Sequence, residues 1–89
     1  MTMTKRNLGV FRIDIGQIES RPDAVAQIFS MLKIVPIKAE YRPDWNAVEY
    51  LAISPHFEEL PKHGAAPEYI LRVTKGDTGN VRAVDVEKI

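Results

Sequence analysis

The chain has 89 residues, which is enough for one hydrophobic core but not for two independent domains. Its 12 Lys and Arg residues balance its 12 Asp and Glu residues, and this zero formal charge argues against a strong electrostatic grip on nucleic acid or on an anionic membrane. The absence of cysteine excludes disulfides, thiolate metal sites and a cysteine nucleophile. No segment resembles a secretory signal or approaches the ~18 apolar residues of a membrane span. We therefore expect a soluble, cytoplasmic protein.

The N-terminal third begins with a polar segment and a strand. Residues 1–7 are polar and basic, so we expect a flexible N-terminus followed by a single domain over residues 8–89. In segment 8–18 the apolar residues, including Phe11 and Ile13, alternate with polar residues and glycine. This period of two predicts a strand with one buried face and one solvated face.

Segment 20–33 is predicted to be the one long helix. Its apolar residues follow the i, i+3, i+4, i+7 spacing of one helix face: Val25, Ile28, Phe29 and Leu32. Ser20 suits the N-cap, Pro22 suits the first turn, and Asp23 complements the helix dipole. The remaining positions are predicted to face solvent: Arg21, Ala24, Gln27, Ser30 and Met31.

Four further strands are predicted after the helix, over 37–42, 47–54, 68–75 and 81–89, with turns at 42–46 (RPDWN) and 76–80 (GDTGN). The order β-α-β-β-β-β predicts an α+β fold in which a single helix packs on a mainly antiparallel sheet of four to five strands. The crossover rule predicts that the first two strands run parallel, with room for another strand between them. The first half resembles a ferredoxin-like plan, whose second helix is replaced here by a loop.

That loop, residues 54–67, is long enough to suggest a function. It holds both histidines, His56 and His63, with Glu58 between them, and such groups can together bind zinc or nickel. Their spacing is not a known zinc signature, and the proline at 61 prevents one helix from aligning the histidines. We therefore predict no bound metal and no cofactor, and leave a small metal-dependent enzyme as the third interpretation.

The same loop has two other interpretations. Ser54 can cap one or two helical turns over 56–60, and Phe57 and Leu60 can then close the end of the core while His and Glu face water. Alternatively, the loop contacts a partner. Both alternatives remain open at the level of sequence.

Catalytic patterns are absent from the sequence. No serine lies in a G-x-S-x-G elbow, and the adjacent carboxylates Glu58 and Glu59 do not point at a common site. The KGDTGN segment, 75–80, lacks phosphate-loop spacing and is explained by a hairpin turn. The sequence therefore predicts a protein that is not an enzyme.

Nucleic-acid binding is the second interpretation. Four basic residues are candidates for one face of the sheet: Lys38, Arg42, Arg72 and Arg82. Three tyrosines offer stacking surfaces: Tyr41, Tyr50 and Tyr69. Acidic residues among them, such as Glu40 and Glu49, dilute the positive charge.

Protein binding is the leading interpretation. One helix cannot cover a sheet of five strands, so the second face should carry apolar area: Leu8, Val10, Leu51, Ile53, Ile70 and Val81. Such area is commonly covered by a second copy or another protein, and an exposed edge strand offers a further route. Trp45, at a hairpin tip, either anchors a partner or folds back over the sheet.

We thus predict a small interaction module, an adaptor or inhibitor of the kind that bacteria and their viruses carry, and expect it to be homodimeric. The predicted partner-binding residues are Trp45, Phe57, Glu58, Leu60 and His63.

Overall fold

The computed structural model describes residues 7–59 and 64–89. Within these ranges the elements are, in chain order, β1 (Leu8–Asp14), α1 (Ile15–Ser20), α2 (Pro22–Met31), β2 (Val35–Arg42), β3 (Ala47–Ile53), β4 (Tyr69–Lys75) and β5 (Val81–Lys88). The predicted α+β class, with mainly antiparallel strands, is confirmed. Both predicted hairpin turns form, at 43–46 and at 76–80.

The strands form two sheets, whereas the sequence suggested one. The first sheet has the order β1-β3-β2, and the second is the β4-β5 hairpin. β3 is antiparallel to both of its neighbours, so β1 and β2 point the same way with a strand between them, as the crossover rule predicted. Beside β1, the backbone N–H of Val10 donates to the carbonyl oxygen of Pro67 at 2.9 Å, and this bond joins the β4 segment to the first sheet.

The first strand is shorter than predicted because the chain turns into a helix at Ile15. The Asp14 side chain accepts a hydrogen bond from the N–H of Gly16 at 3.2 Å and caps α1. Ser20 is therefore the last residue of α1, and its hydroxyl donates to the carbonyl of Gly16 at 2.6 Å. The prediction of Ser20 as the N-cap of the long helix is wrong.

Helix α2 begins after Arg21, whose side chain provides no capping bond. Pro22 and Asp23 occupy the first turn as predicted. At the other end Lys33 has a φ of 52°, and the N–H of Ile34 donates to the carbonyl of Phe29 at 2.8 Å. This is the Schellman arrangement, which satisfies the last carbonyls of a helix and explains why α2 stops before the predicted residue 33.

The helix lies between the two sheets. On one side Phe29 packs edge-on against Tyr50 of β3, with ring centroids 5.2 Å apart. On the other, the Gln27 side chain accepts a hydrogen bond from the N–H of Val81 at the start of β5, at 2.9 Å. Ala24 is 0% exposed, so its predicted place on the solvent face is wrong. The β4-β5 hairpin covers that side of the helix. Val81 is buried in the core, so its predicted place on the uncovered sheet face is wrong.

The first part of the loop, 54–59, is attached to the core without forming the predicted helical turn. Phe57 is 2% exposed and stacks on Tyr69, with ring centroids 4.6 Å apart. The buried hydroxyl of Ser54 donates to the carbonyl of Leu32 at 2.6 Å and accepts from the N–H of His56 at 3.1 Å. The prediction that Phe57 closes the core is confirmed, whereas Leu60 lies outside the described residues.

Residues 1–6 of the predicted flexible N-terminus also lie outside the described residues. Asn7 is described, and its side-chain amide donates to the carbonyl of Phe57 at 2.8 Å. Its own carbonyl accepts from the N–H of Ser54 at 3.1 Å. In the described part of the chain, no helix is long and apolar enough to cross a membrane.

Candidate interaction surface

The three-stranded sheet has one face packed on the core and one that we call the open face. Phe11 and Ile13 of β1 point into the core. Because side chains alternate along a strand, Val10, Arg12 and their cross-strand neighbours point the other way. The centre of the open face is formed by six residues in two rows across the sheet: Val10, Leu51 and Lys38 in one row, and Arg12, Glu49 and Glu40 in the other. All six side chains are exposed or half-exposed.

A shallow hollow lies in the middle of this face. Val10 and Leu51 supply its apolar floor, and the charged side chains of Lys38, Glu40 and Glu49 surround it. Its volume is about 190 Å³, below the ~300 Å³ at which small-molecule sites begin. An apolar centre with a charged rim is instead typical of a protein-protein interface.

Trp45 lies at one end of the open face, in the turn between β2 and β3. The guanidinium carbon of Arg12 is 3.5 Å from the centre of the indole ring, and that of Arg42 is 4.9 Å away. Trp45 thus folds back over the sheet, as one interpretation predicted, yet it is still 42% exposed. Cation-π contacts of this kind contribute roughly 0.5–1 kcal/mol at exposed sites, so the two arginines hold the ring in place while leaving part of it accessible.

Carboxylates in turn orient both arginines. Arg42 lies 3.0 Å from Glu40, and Arg12 lies 3.8 Å from Glu49 and 3.9 Å from Glu68. Arg42, one of the four basic residues that suggested nucleic-acid binding, is therefore partly neutralised by a neighbouring acid. Arg72 is likewise 3.0 Å from Glu87, on the separate β4-β5 hairpin.

The outer edge of the sheet is strand β2, and all but the last of its side chains are exposed. The large apolar residues on it are Val35 at 59%, Ile37 at 54% and Tyr41 at 53% exposure. A bulge interrupts the pairing between Pro36 and Lys38. Pro, Lys and bulges are devices that restrict how an edge can pair with another strand, so this edge is selective in what it accepts.

The predicted partner-binding residues do not all lie on this surface. Trp45 is on it. Phe57 is inside the core, so its side chain supports the loop, and Glu58 is exposed and pairs with Lys88 at 3.0 Å. Leu60 and His63 lie outside the described residues, so their predicted roles stay predictions.

A larger cleft lies elsewhere, between β1 and β4, with a volume of about 310 Å³. Apolar side chains and charged side chains line it together: Ile13, Ile28, Leu71 and Val73 with Arg12, Asp14 and Lys75. Among residues 7–59 and 64–89, no three His, Asp or Glu side chains are grouped so that they could hold a metal ion. The metal interpretation had relied on His63, which is not described.

The pKa values of several titratable groups are shifted by contacts within the fold. The hydrogen bond from Arg21 lowers the pKa of Asp23, and the hydrogen bond from Arg72 lowers the pKa of Glu87. Burial raises the pKa of Tyr50. Asp23 and Glu87 are exposed members of ion pairs, and the ring of Tyr50 stacks on that of Phe11 with the centroids 5.3 Å apart. Each pKa shift is therefore explained by a contact that belongs to the fold, and none of them marks a catalytic acid or base in a cleft.

Comparison of the chain with protein-family models, with curated proteins and with solved structures found no match. The functional conclusion therefore depends on the geometry described above.

Sequence reasoning missed Arg12, Lys38 and Glu40 as members of this surface. Alternation had already placed Arg12 on the solvated side of β1. Its contact with Trp45, however, depends on the cross-strand register that brings residue 12 beside residue 49. Register between distant strands is not encoded in the local pattern, although the charge alternation along β2 was visible in the sequence.

Proposed function

We propose that this protein is a small, non-enzymatic interaction module, an adaptor or inhibitor that binds a larger protein through its open face and acts as a homodimer in the cytoplasm. The observation that carries the proposal is the exposed Trp45, held by two arginines beside a hollow with an apolar floor. Trp and Arg are the residues most enriched among those that dominate binding energies.

The partner's chemistry follows from the hollow. A floor of Val10 and Leu51 accepts one apolar side chain. The rim presents Lys38 on one side and Glu40 and Glu49 on the other, so a matching surface carries a charge of each sign around its apolar anchor. A highly basic or highly acidic partner would face like charges on one side of the hollow. This supports a protein surface of mixed charge over a polyanion such as nucleic acid.

The test is affinity capture from host lysate with three forms of the protein: the parent, Trp45→Ala, and Met31→Ala as the control. Met31 and Trp45 are equally exposed, at 42%, but Met31 lies on α2, away from the open face. We expect the parent and the control to capture the same protein and Trp45→Ala to lose it. In a direct titration with that protein, removal of a dominant aromatic residue should weaken binding by about 30-fold or more.

Two results would contradict the proposal. One is capture that Trp45→Ala retains in full. The other is retention of nucleic acid by the parent that weakens steeply as salt rises, which is the signature of phosphate binding. Thermal unfolding of each variant must match the parent, so that a loss of capture reports on the surface and not on the fold.

A further inference from the structure

The β2 edge carries a pattern that is complementary to itself. The N–H of Val10 points away from β3 towards Pro67, so the hydrogen-bonded pairs between β1 and β3 are those of the odd-numbered residues of β1. The same alternation directs the backbone of Leu51 and Glu49 towards Lys38 and Glu40. The backbone N–H and C=O groups of Ala39 and Tyr41 therefore point outwards, away from the sheet.

We infer that β2 pairs antiparallel with β2 of a second copy, about a two-fold axis at Ala39. This inference deepens the proposed function, because it specifies the interface of the proposed homodimer. In that register Ala39 faces Ala39 of the other copy. On the open face, Lys38 of each copy faces Glu40 of the other. One apolar pair and two opposite-charge pairs form at once, on the part of β2 that follows the bulge between Pro36 and Lys38, and the outward backbone groups of the two Ala39 residues bond each other.

The neighbouring registers are unfavourable. An axis one residue earlier, at Lys38, puts the two Lys38 side chains opposite each other. An axis one residue later, at Glu40, puts Glu40 opposite Glu40 and Lys38 opposite Arg42. Like charges directly opposite each other destabilise a strand pair. The charges of β2 thus favour the alignment about Ala39 over both neighbouring ones, which explains how an edge with Lys38, Pro36 and a bulge can still discriminate between registers.

The second copy also relieves a repulsion within the monomer. Glu40 lies directly opposite Glu49 on the open face, so two carboxylates are neighbours. Arg12 lies 3.8 Å from Glu49, and Arg42 lies 3.0 Å from Glu40. In the dimer, Lys38 of the other copy lies on the free side of Glu40. The row across both sheets then reads Arg12, Glu49, Glu40 and the second copy's Lys38, with two positive and two negative charges.

The dimer also joins the two open faces. Two three-stranded sheets become one six-stranded sheet, and the edge around Ala39, which is exposed in the monomer, is covered by the other copy. In the dimer Lys38 and Glu40 of the rim also face the other copy, while Val10 and Leu51 of the floor and Trp45 lie on the β1 and turn side of β2 and stay accessible. One dimer therefore presents two partner-binding sites on the same side.

The test reverses the charges at Lys38 and Glu40 and measures the molar mass of each form by light scattering across a concentration series. We expect the parent to dimerise, and Lys38→Glu or Glu40→Lys alone to weaken dimerisation roughly tenfold, because two attractive pairs become repulsive. A mixture of the two single variants should form a heterodimer, in which every pair at these positions is again opposite in charge. The double variant K38E/E40K should dimerise like the parent.

The result that would overturn the inference is a parent that is monomeric at all concentrations, or a dimer whose stability is the same in all four forms. A mixture of the single variants that does not associate would also overturn it. Capture of a larger partner that depends on Trp45 would survive any of these results, so failure of the dimer is distinguishable from failure of partner binding by the open face. Arg82→Glu, in the distant hairpin, controls for the general effect of charge reversal.

Discussion

The buried hydroxyl of Ser54 provides the sharpest stability prediction. It is fully buried, donates to the carbonyl of Leu32 at 2.6 Å, and accepts from the N–H of His56 at 3.1 Å. Ser54→Ala removes one oxygen atom and leaves the carbonyl of Leu32, at the end of α2, without this partner. A buried polar group left unsatisfied costs about 1–3 kcal/mol. The N–H of His56 is only partly buried, so water can replace its lost acceptor, and we expect a total loss of ~2 kcal/mol.

Urea unfolding at equilibrium measures this loss as a lower midpoint at an unchanged slope. In a thermal scan the same loss lowers the Tm by roughly 8–16 °C for a domain of this size. Ser20→Ala is the matched control, because Ser20 also donates a bond of 2.6 Å to a helix carbonyl but is exposed. We expect that control to change stability by less than about 0.5 kcal/mol. If Ser54→Ala is no more destabilising than Ser20→Ala, the buried bond is not what fastens the loop to α2.

Two further predictions test the core and the hairpin. A Cβ atom at Gly9 would lie 2.7 Å from the ring of Phe57 and 2.7 Å from that of Tyr69. Because these stacked rings are rigid, we expect Gly9→Ala to lower the free energy of unfolding by about 1–3 kcal/mol, measured by urea denaturation. Unchanged stability would mean that the rings are not packed against β1. The pKa of Glu87 is lowered by its hydrogen bond from Arg72, so the pair stabilises the fold above the unfolded pKa of about 4.3 and loses its effect as pH falls through the lower folded pKa. Glu87→Gln should therefore narrow the difference in urea midpoint between about pH 7 and about pH 3, and an equal difference in both forms would contradict this assignment.

Local patterns in the sequence were sufficient to predict the structure of segments that fit only one period, that of a strand or that of a helix. Alternation placed Phe11 and Ile13 in the core, and the turn residues of 42–46 and 76–80 marked both hairpins. Where two periods overlapped, the sequence was ambiguous. Ile15 continues the alternation of β1, but it also begins the i, i+3 spacing with Ile18 that belongs to α1, and only the capping bond of Asp14 resolves the two.

Contacts between distant segments account for the other differences. Ala24 was assigned to solvent because one apolar stripe predicts one buried face, whereas α2 packs between two sheets. That second contact is made by a hairpin more than 40 residues later in the chain, and no local period encodes it. The division into two sheets has the same origin, since it depends on where the chain at Pro67 meets Val10.

The candidate surface was predictable in outline only. Size and strand count indicated that one helix would leave a sheet face uncovered, and the exposed residues of the open face agree with this expectation. The residues that give the surface its character, Arg12 beside Trp45 and Lys38 beside the hollow, depend on cross-strand register. Charge alternation along β2 could be read from the sequence, but its meaning required knowing that β2 is an edge.

The most direct measurement of the claim that the uncovered edge of the three-stranded sheet binds a second copy is hydrogen exchange of the backbone amide of Ala39 at increasing protein concentration. In the monomer this amide points to solvent and should exchange as fast as that of an unpaired strand. On dimerisation through β2 it becomes hydrogen-bonded, so we expect slow exchange at high concentration and a return to fast exchange in the Lys38→Glu variant. Fast exchange of this amide at every concentration, in a parent that light scattering shows to be dimeric, would contradict the claim.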